Sequence, residues 1–247
     1  MWAGQWDVRR FAVIDSTNTY LKAQARRGAP DGTVAVADHQ TAGRGRLDRT
    51  WEAPPGASLL FSVLMRPQLD LNHLYLSTAA VALAAADACV AVAAVEPQVK
   101  WPNDLLVGDA KLAGVLAEAD VAGRAVRSVV VGVGVNLAWP GPPGVGGTCL
   151  DEVSPNAPVS RDALLEALLA ALEPRRGLLD EPEGRLAVAA ELRRRCATIG
   201  RTVSVELPGE ALTGLATGVD HAGHLLVETQ GATRVVAAGD VVHLRPA

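Results

Sequence analysis

Residues 99–118 read VKWPNDLLVGDAKLAGVLAE, and their pattern sets the architecture. Two apolar runs, 104–107 and 111–119, flank Gly108-Asp109, the spacing and composition of a tight hairpin turn. A short strand at 98–101 precedes them, stopped by Pro102, and 126–135 (VRSVVVGVGV) supplies another strand after Gly123. Upstream, 33–37 (TVAVA) and 58–65 (SLLFSVLM) read as buried strands and 10–14 (RFAVI) as a strand. Asp15-Ser16-Thr17-Asn18 then offers capping side chains for a helix running to about Arg27. With helical patterns at about 71–94, 160–180 and 184–198, strands and helices alternate along the chain.

After Gly200 the pattern changes to short strands separated by turns at 207–210, 220–223 and 230–231. A final stretch of about 47 residues has little core of its own, so it reads as a small β-barrel docked on the main domain. The expected division is 1–199 for the main domain and 200–247 for the barrel. A Pro/Gly cluster, PGPPGVGG at 140–147, marks a loop, and no internal repeat is present.

The chain has 247 residues, 49% hydrophobic and 20% charged, with a formal net charge of −4. This is enough apolar sequence for a sizeable core and excludes a wholly disordered chain. The acidic balance gives no global field for nucleic acid or an anionic membrane. Cys89, Cys149 and Cys196 are too few and scattered for a disulfide framework or a CxxC metal site. From Leu74 to Val95 the only formal charge is Asp87, a length sufficient to span a bilayer. Its alanine content gains little from lipid, and Asp87 falls near its middle, so a buried core helix is the expectation. No secretory signal pattern opens the chain, and a cytoplasmic location is expected.

Three stretches carry candidate chemistry. DHQTAGRGRLDRTW (38–51) alternates Arg44, Arg46 and Arg49 with Gly43 and Gly45. Glycines let backbone amides approach a ligand, and arginines offer forked donors to phosphate or carboxylate. A solvated basic loop is the plain alternative, and the run fits neither GxxxxGK[ST] nor GxGxxG. Trp51 suits either a flat ring or a loop anchor. In the second stretch, Asn103-Asp104 follows a proline, and Lys111 opens the next strand close to Asp104 across the Gly108 turn. Lysine is rare here (three against twenty arginines), which weighs against an incidental surface pair. Gly114 suggests close approach of a backbone or a ligand. The third stretch, VVVGVGVNL (129–137), has alternating glycines that leave a flat floor or admit a packed helix, and it ends at Asn136.

Taken together, Ser16-Thr17-Asn18, GRGR with Arg49 and Trp51, KWPNDLL, KLAGVLAE and GVGVNL resemble, in order and spacing, the biotin protein ligases. The resemblance spans roughly residues 10–245, including a C-terminal AAGDVVHLRP. It implies an α+β fold: a mixed β-sheet catalytic domain of the biotin/lipoate ligase type with helices on one side, plus a small SH3-like barrel. It also implies an ATP-dependent reaction, with Mg2+, in which biotin forms biotinyl-5′-adenylate and passes to a lysine of a carrier protein. The implied carrier is the biotin carboxyl carrier domain of an acyl-CoA or pyruvate carboxylase. Carried over by position, Ser16, Thr17, Asn18 and Gln40 hold the ureido ring, with Gly43, Arg44, Arg46, Lys111 and Gly114 completing the biotin site. Arg46, Arg49, Trp51, Asn103, Lys111 and Asn136 fall at ATP, and no residue is assigned to a protein-held metal. Lys111, Arg46 and Asp104 are the implied catalytic residues, Asp104 acting on the acceptor lysine.

Where the family commonly has a glycine before the arginine that follows GRGR, this chain has Leu47-Asp48. No winged-helix pattern precedes residue 10, so a monofunctional ligase is expected, as a monomer or weak homodimer. The basic loop is expected to be mobile without ligand, its arginines repelling one another, and Lys22 is expected to be idle on an exposed helix face. A lipoate or octanoate transferase of the same fold, and a non-enzymatic nucleic-acid module, are the alternatives.

Overall fold

The structure is a computed structural model and describes residues 6–207 and 210–244. Seven strands form one sheet: β1 (Asp7–Ile14), β2 (Thr33–Gln40), β3 (Ser58–Met65), β4 (Gln98–Lys100), β5 (Asp104–Val107), β6 (Ala110–Ala122) and β7 (Ala125–Asn136). Their order is β1-β2-β3-β7-β6-β5-β4. Only β1 and β2 are parallel, and the crossover that a parallel pair requires is α1 (Thr17–Arg26). The expected hairpin joins β5 to β6 through Gly108-Asp109, with Gly108 at φ +59, a conformation a side chain would strain.

Every residue of β3, at the middle of the sheet, is buried. Val34, Val36, Phe61, Val63, Met65, Val129 and Val131 point to one side, into a core shared with the helical layer of α2 (Tyr75–Ala93), α4 (Arg161–Leu178) and α5 (Pro182–Arg195). Ala35, Leu64 and Val130 point to the other side, where they meet Leu21 of α1. The expectation of helices on one side therefore holds for the three long helices and is corrected for α1. A short helix, α3 (Leu150–Val153), was not foreseen, since four residues carry no periodicity.

The apolar run at 71–93 is long enough to cross a membrane, yet most of it is buried inside the fold. Each fully buried leucine, Leu76 and Leu83 among them, stabilises by about 1.5–3 kcal/mol. Asp87, its single charge, faces the other helices: Arg175 lies 2.6 Å from one oxygen and Arg195 2.5 Å from the other, and Arg175 also reaches Glu191. The helix ends where Ala94 turns left-handed (φ 52) and returns its N–H to Cys89 and Val90.

The C-terminal strands β8 (Thr202–Leu207), β9 (Glu210–Val219), β10 (Leu225–Thr229), β11 (Ala232–Val236) and β12 (Asp240–His243) form a separate antiparallel sheet in the order β11-β10-β9-β8-β12. Its end strands share no ladder among the described residues, so the small barrel is present as a five-stranded sheet. Two of the three expected turns are present; that at 207–210 falls on residues 208–209, outside the described residues, as do the last residues of AAGDVVHLRP.

Trp101 ties this sheet to the main one. Its side chain is fully buried, its indole N–H donates to the Gly223 carbonyl at 3.0 Å, and its backbone N–H donates to the Thr198 hydroxyl at 3.0 Å. That hydroxyl in turn lies 3.0 Å from His243 Nε2. Burial, and next the charges of Lys100 and Arg201, push His243 down to about 4, with Asp109 opposing. His243 is thus neutral at pH 7 and shares a hydrogen bond with the Thr198 hydroxyl. Between pH 6.5 and 4 the unfolded chain takes up a proton that the folded chain refuses, so stability falls as pH drops through that window. His243→Gln keeps a neutral partner for Thr198, so it is expected to lose less thermal stability than the native chain between pH 7 and 5. Equal losses in the two melting series contradict this assignment.

Candidate active site

The face of the sheet that α1 occupies is only partly covered, because a 10-residue helix spans about 15 Å. Strand register decides what lies beside it. Leu60, Gly134, Gly114 and Asp104 stand opposite one another across β3, β7, β6 and β5. Ser62, Gly132 and Leu116 form the next row, and Leu64, Val130 and Glu118 the one after. Glycine is required in both open rows. A Cβ on Gly132 would sit 2.2 Å from Asn18 Oδ1, and one on Gly134 2.3 Å from the Trp51 indole; at Gly114 the clearance to that ring is 2.8 Å. Both readings left open for these glycines therefore apply: one admits the first turn of α1, and two seat Trp51. Above this floor lies a cavity of about 300 Å³.

At one end the cavity wall is polar. Ser16 caps α1, its oxygen accepting from Thr19 N–H, and this leaves the hydroxyl proton free. Gln40 Oε1 accepts from both the backbone N–H and the hydroxyl of Thr17, at 2.8 and 3.0 Å, so Gln40 presents its NH2 group. Asn18 spends both amide hydrogens on the protein, donating to Leu116 O (3.2 Å) and Glu118 Oε2 (3.0 Å). Ser62, fully buried on β3, lies 2.6 Å from Asn18 Oδ1 and 2.7 Å from Thr17 Oγ1. Since the Asn18 oxygen has no proton, the Ser62 proton goes to it, and oxygen lone pairs on Thr17 and Asn18 remain as acceptors. The end of the cavity thus pairs two donors, Ser16 and Gln40, with two acceptors, Thr17 and Asn18.

The other end is charged. Lys111 Nζ is 2.7 Å from Asp104 Oδ1 and 5.6 Å from the centre of the Trp51 ring. The ion pair holds a buried oxygen of Asp104 against the Lys111 ammonium. Arg46 reaches across the mouth, donating to Asn103 Oδ1 (3.2 Å) and the Gly239 carbonyl (2.8 Å). Burial pulls its guanidinium below the ordinary value, with Asp240 and Asp104 opposing. Arg49 pairs with Asp240, and Arg44 with Glu118 at 3.0 Å. Asn136 donates to the carbonyls of Pro140 (3.2 Å) and Thr148 (3.0 Å), which leaves only its oxygen for a ligand.

Of the residues singled out from the sequence, all but one line this cavity. Gly43 does not: it packs against the Trp51 carbonyl, where a Cβ would come within 2.3 Å, and it borders a shallower hollow behind the loop. Two expectations are corrected by charge pairing. The loop arginines do not face one another unpartnered, since each has its own acceptor, and Leu47 and Asp48 at φ 53 and 57 bend the loop to allow it. Two left-handed non-glycine residues in succession cost about 1–2 kcal/mol each. Lys22 is not idle, for its ammonium lies 2.6 Å from Glu118. Sequence reading missed Ser62, Glu118 and Asp240. A serine in the middle of the β3 run SLLFSVLM was a visible signal for the first; Asp240 comes from a distant strand and had none.

A groove with a hydrogen-bonding pocket at one end and paired cations at the other suits a small molecule that carries polar ring groups and negative charge. The Biotin/lipoate A/B protein ligase family profile matches residues 10–136, and the Biotin protein ligase C terminal domain profile matches 198–244. The chain is 40% identical to a biotin--[acetyl-CoA-carboxylase] ligase of Mycobacterium tuberculosis, over 95% of this chain and 88% of that one. It is 32% identical to the ligase of the same name from Paracoccus denitrificans, over 93% and 98%. The solved structure of biotin protein ligase from Aquifex aeolicus in complex with biotin and ATP superposes with a TM-score of 0.82 at 26% identity, covering 97% of this chain and 99% of that one. The chain belongs to the biotin protein ligase family.

Gly132→Ala tests the floor. The new methyl collides with Asn18, which both α1 and Glu118 hold in place, so a loss of about 1–3 kcal/mol in unfolding free energy is expected from denaturant titration. An unchanged midpoint means that the first turn of α1 yields at no cost.

Proposed function

We propose that this protein is an ATP-dependent ligase that forms biotinyl-5′-adenylate and transfers biotin to a lysine of a biotin carboxyl carrier domain of an acyl-CoA or pyruvate carboxylase. The observation that carries the reading is the split polarity of the ring end. A cyclic urea offers one carbonyl and two N–H groups, and Ser16 with Gln40 suits the former as Thr17 with Asn18 suits the latter. The dithiolane ring of lipoate offers neither group and would leave this wall buried and unpaired, at about 1–3 kcal/mol per polar atom. A nucleic-acid role is disfavoured because the loop arginines turn inward to Glu118, Asn103, Gly239 and Asp240.

In the first step a carboxylate oxygen attacks the α-phosphorus, the bond to the pyrophosphate oxygen breaks, and pyrophosphate leaves. Lys111 and Arg46 suit the negative charge that builds on the phosphoryl oxygens, since cations fixed beforehand need no reorganisation. Arg44 suits the carboxylate, Arg49 the phosphates, and Trp51, Asn103 and Asn136 border the nucleotide, with Asn136 Oδ1 as an acceptor for an exocyclic amine. Mg2+ would arrive on the ATP phosphates and neutralise their charge. In the second step the acceptor amine attacks the acyl carbon, the acyl–phosphate bond breaks, AMP leaves, and Asp104 receives or orients the amine proton. With the loop in place over the groove, water is kept from the anhydride.

We assign residues 1–199 to the catalytic domain and 200–247 to the C-terminal domain, in keeping with their separate sheets, and place the protein in the cytoplasm with its carboxylase substrates. Lys111→Ala is expected to reduce biotin-dependent pyrophosphate exchange by about two to three orders of magnitude, the effect of removing one fixed stabiliser of developing charge. Asp104→Asn is expected to slow transfer to the carrier more than exchange. Near-native exchange in the lysine variant, or equal loss of both steps in the aspartate variant, contradicts these roles.

A further inference from the structure

Glu118 lies outside the groups that a ligand would touch, yet three elements converge on its carboxylate. Oε1 is 2.6 Å from Lys22 Nζ of α1 and 3.0 Å from Arg44 of the basic loop, and Oε2 accepts from Asn18 at 3.0 Å. The side chain is only 16% exposed, so these contacts act with little solvent between them. Its register position, two residues beyond Leu116 on β6, puts it on the same sheet face as the cavity floor.

The contact with Asn18 carries consequences for ligand choice. An asparagine amide can flip and exchange its oxygen and nitrogen. Here a flip would turn the oxygen toward Glu118 and toward the Leu116 carbonyl, placing acceptor against acceptor at both contacts. The carboxylate and the carbonyl together therefore fix the NH2 group on their side, and the Asn18 oxygen is held toward Ser62 and over Gly132 of the cavity floor. The second oxygen gives Arg44 a counter-charge before a carboxylate ligand arrives. Glu118 titrates below the usual carboxylate range: burial raises it, and the hydrogen bonds from Lys22 and Asn18 with the charge of Arg44 outweigh that. It stays ionised at neutral pH and keeps both duties.

We propose that Glu118 is a positioning residue of the site, which fixes the Asn18 oxygen as an acceptor for a ring N–H of the ligand and anchors Arg44 of the basic loop in the ligand-free protein. The inference rests on the biotin reading above and adds to it the residue that sets the polarity of the ring end.

The two duties separate by substitution. Glu118→Ala removes both, whereas Glu118→Gln keeps a neutral oxygen for the Asn18 amide and removes the charge that holds Arg44 and Lys22. Binding of biotin and of a biotin analogue methylated at the ring nitrogens is measured by calorimetry on the full chain. Glu118→Ala is expected to weaken biotin about tenfold or more while changing the analogue much less, so the ratio of the two affinities collapses. Glu118→Gln is expected to keep most of that ratio, while trypsin cuts after Arg44 severalfold faster than in the native chain without ligand. A general loss of folding lowers both affinities together and leaves their ratio intact, which a positioning role does not predict. An unchanged ratio in Glu118→Ala overturns the assignment for Asn18, and an unchanged cutting rate in Glu118→Gln overturns it for the loop. If the native chain binds neither compound, the biotin reading falls and this inference with it.

Discussion

A missing Cβ is the constraint on which the site depends. β6 and β7 carry glycine at 114, 132 and 134, in two adjacent rows of one sheet face. Because nothing projects there, the first turn of α1 can lower Asn18 onto β7, and Trp51 can lie against both strands. Side chains in those rows would lift both, and with them the polar wall and the basic loop. Since successive residues of a strand face opposite ways, the intervening Val131, Val133 and Val135 serve the hydrophobic core under α2 and α4. One stretch of sequence thus builds core and site together.

The second feature is that the site's cations are already paired. Arg44 meets Glu118, Arg46 meets Asn103 and a backbone carbonyl, Arg49 meets Asp240, and Lys111 meets Asp104. Four cations in one groove would otherwise repel one another and splay the loop. A ligand bearing carboxylate and phosphates exchanges these partners rather than meeting bare charge, so the gain on binding is the difference between two paired states. Two of the partners come from the start of β12 and the residue before it, at Asp240 and Gly239. The position of the C-terminal sheet is in turn held by Trp101, two residues from Asn103 in the same segment. The C-terminal domain is in this sense a wall of the site.

Much of this was legible from residues alone. Strand periodicity and the Gly108 turn located the β5–β6 hairpin that brings Lys111 to Asp104, and the motif residues converge on one cavity with the exception of Gly43. What escaped the sequence has a common cause. Which face of a sheet a short amphipathic helix covers is decided by the crossover, not by its own period, so α1 was placed with the other helices. Lys22 looked solvated because its partner is 96 residues away on β6. Arg49 looked repelled because Asp240 lies 191 residues further along the chain. The donor and acceptor roles of Asn18, Gln40 and Asn136 depended on which of their atoms the protein itself consumes, a question only neighbours in space answer.

The claim that the ring end is built for a cyclic urea is tested most directly by mass spectrometry of the intact protein under native conditions. The chain is incubated with equimolar biotin and lipoate in the presence of ATP and Mg2+, and the retained small molecule is weighed. The account predicts a bound species with the mass of biotinyl-5′-adenylate and no lipoyl adenylate. Lipoyl adenylate in equal or greater amount, or no adenylate with either acid, would contradict it.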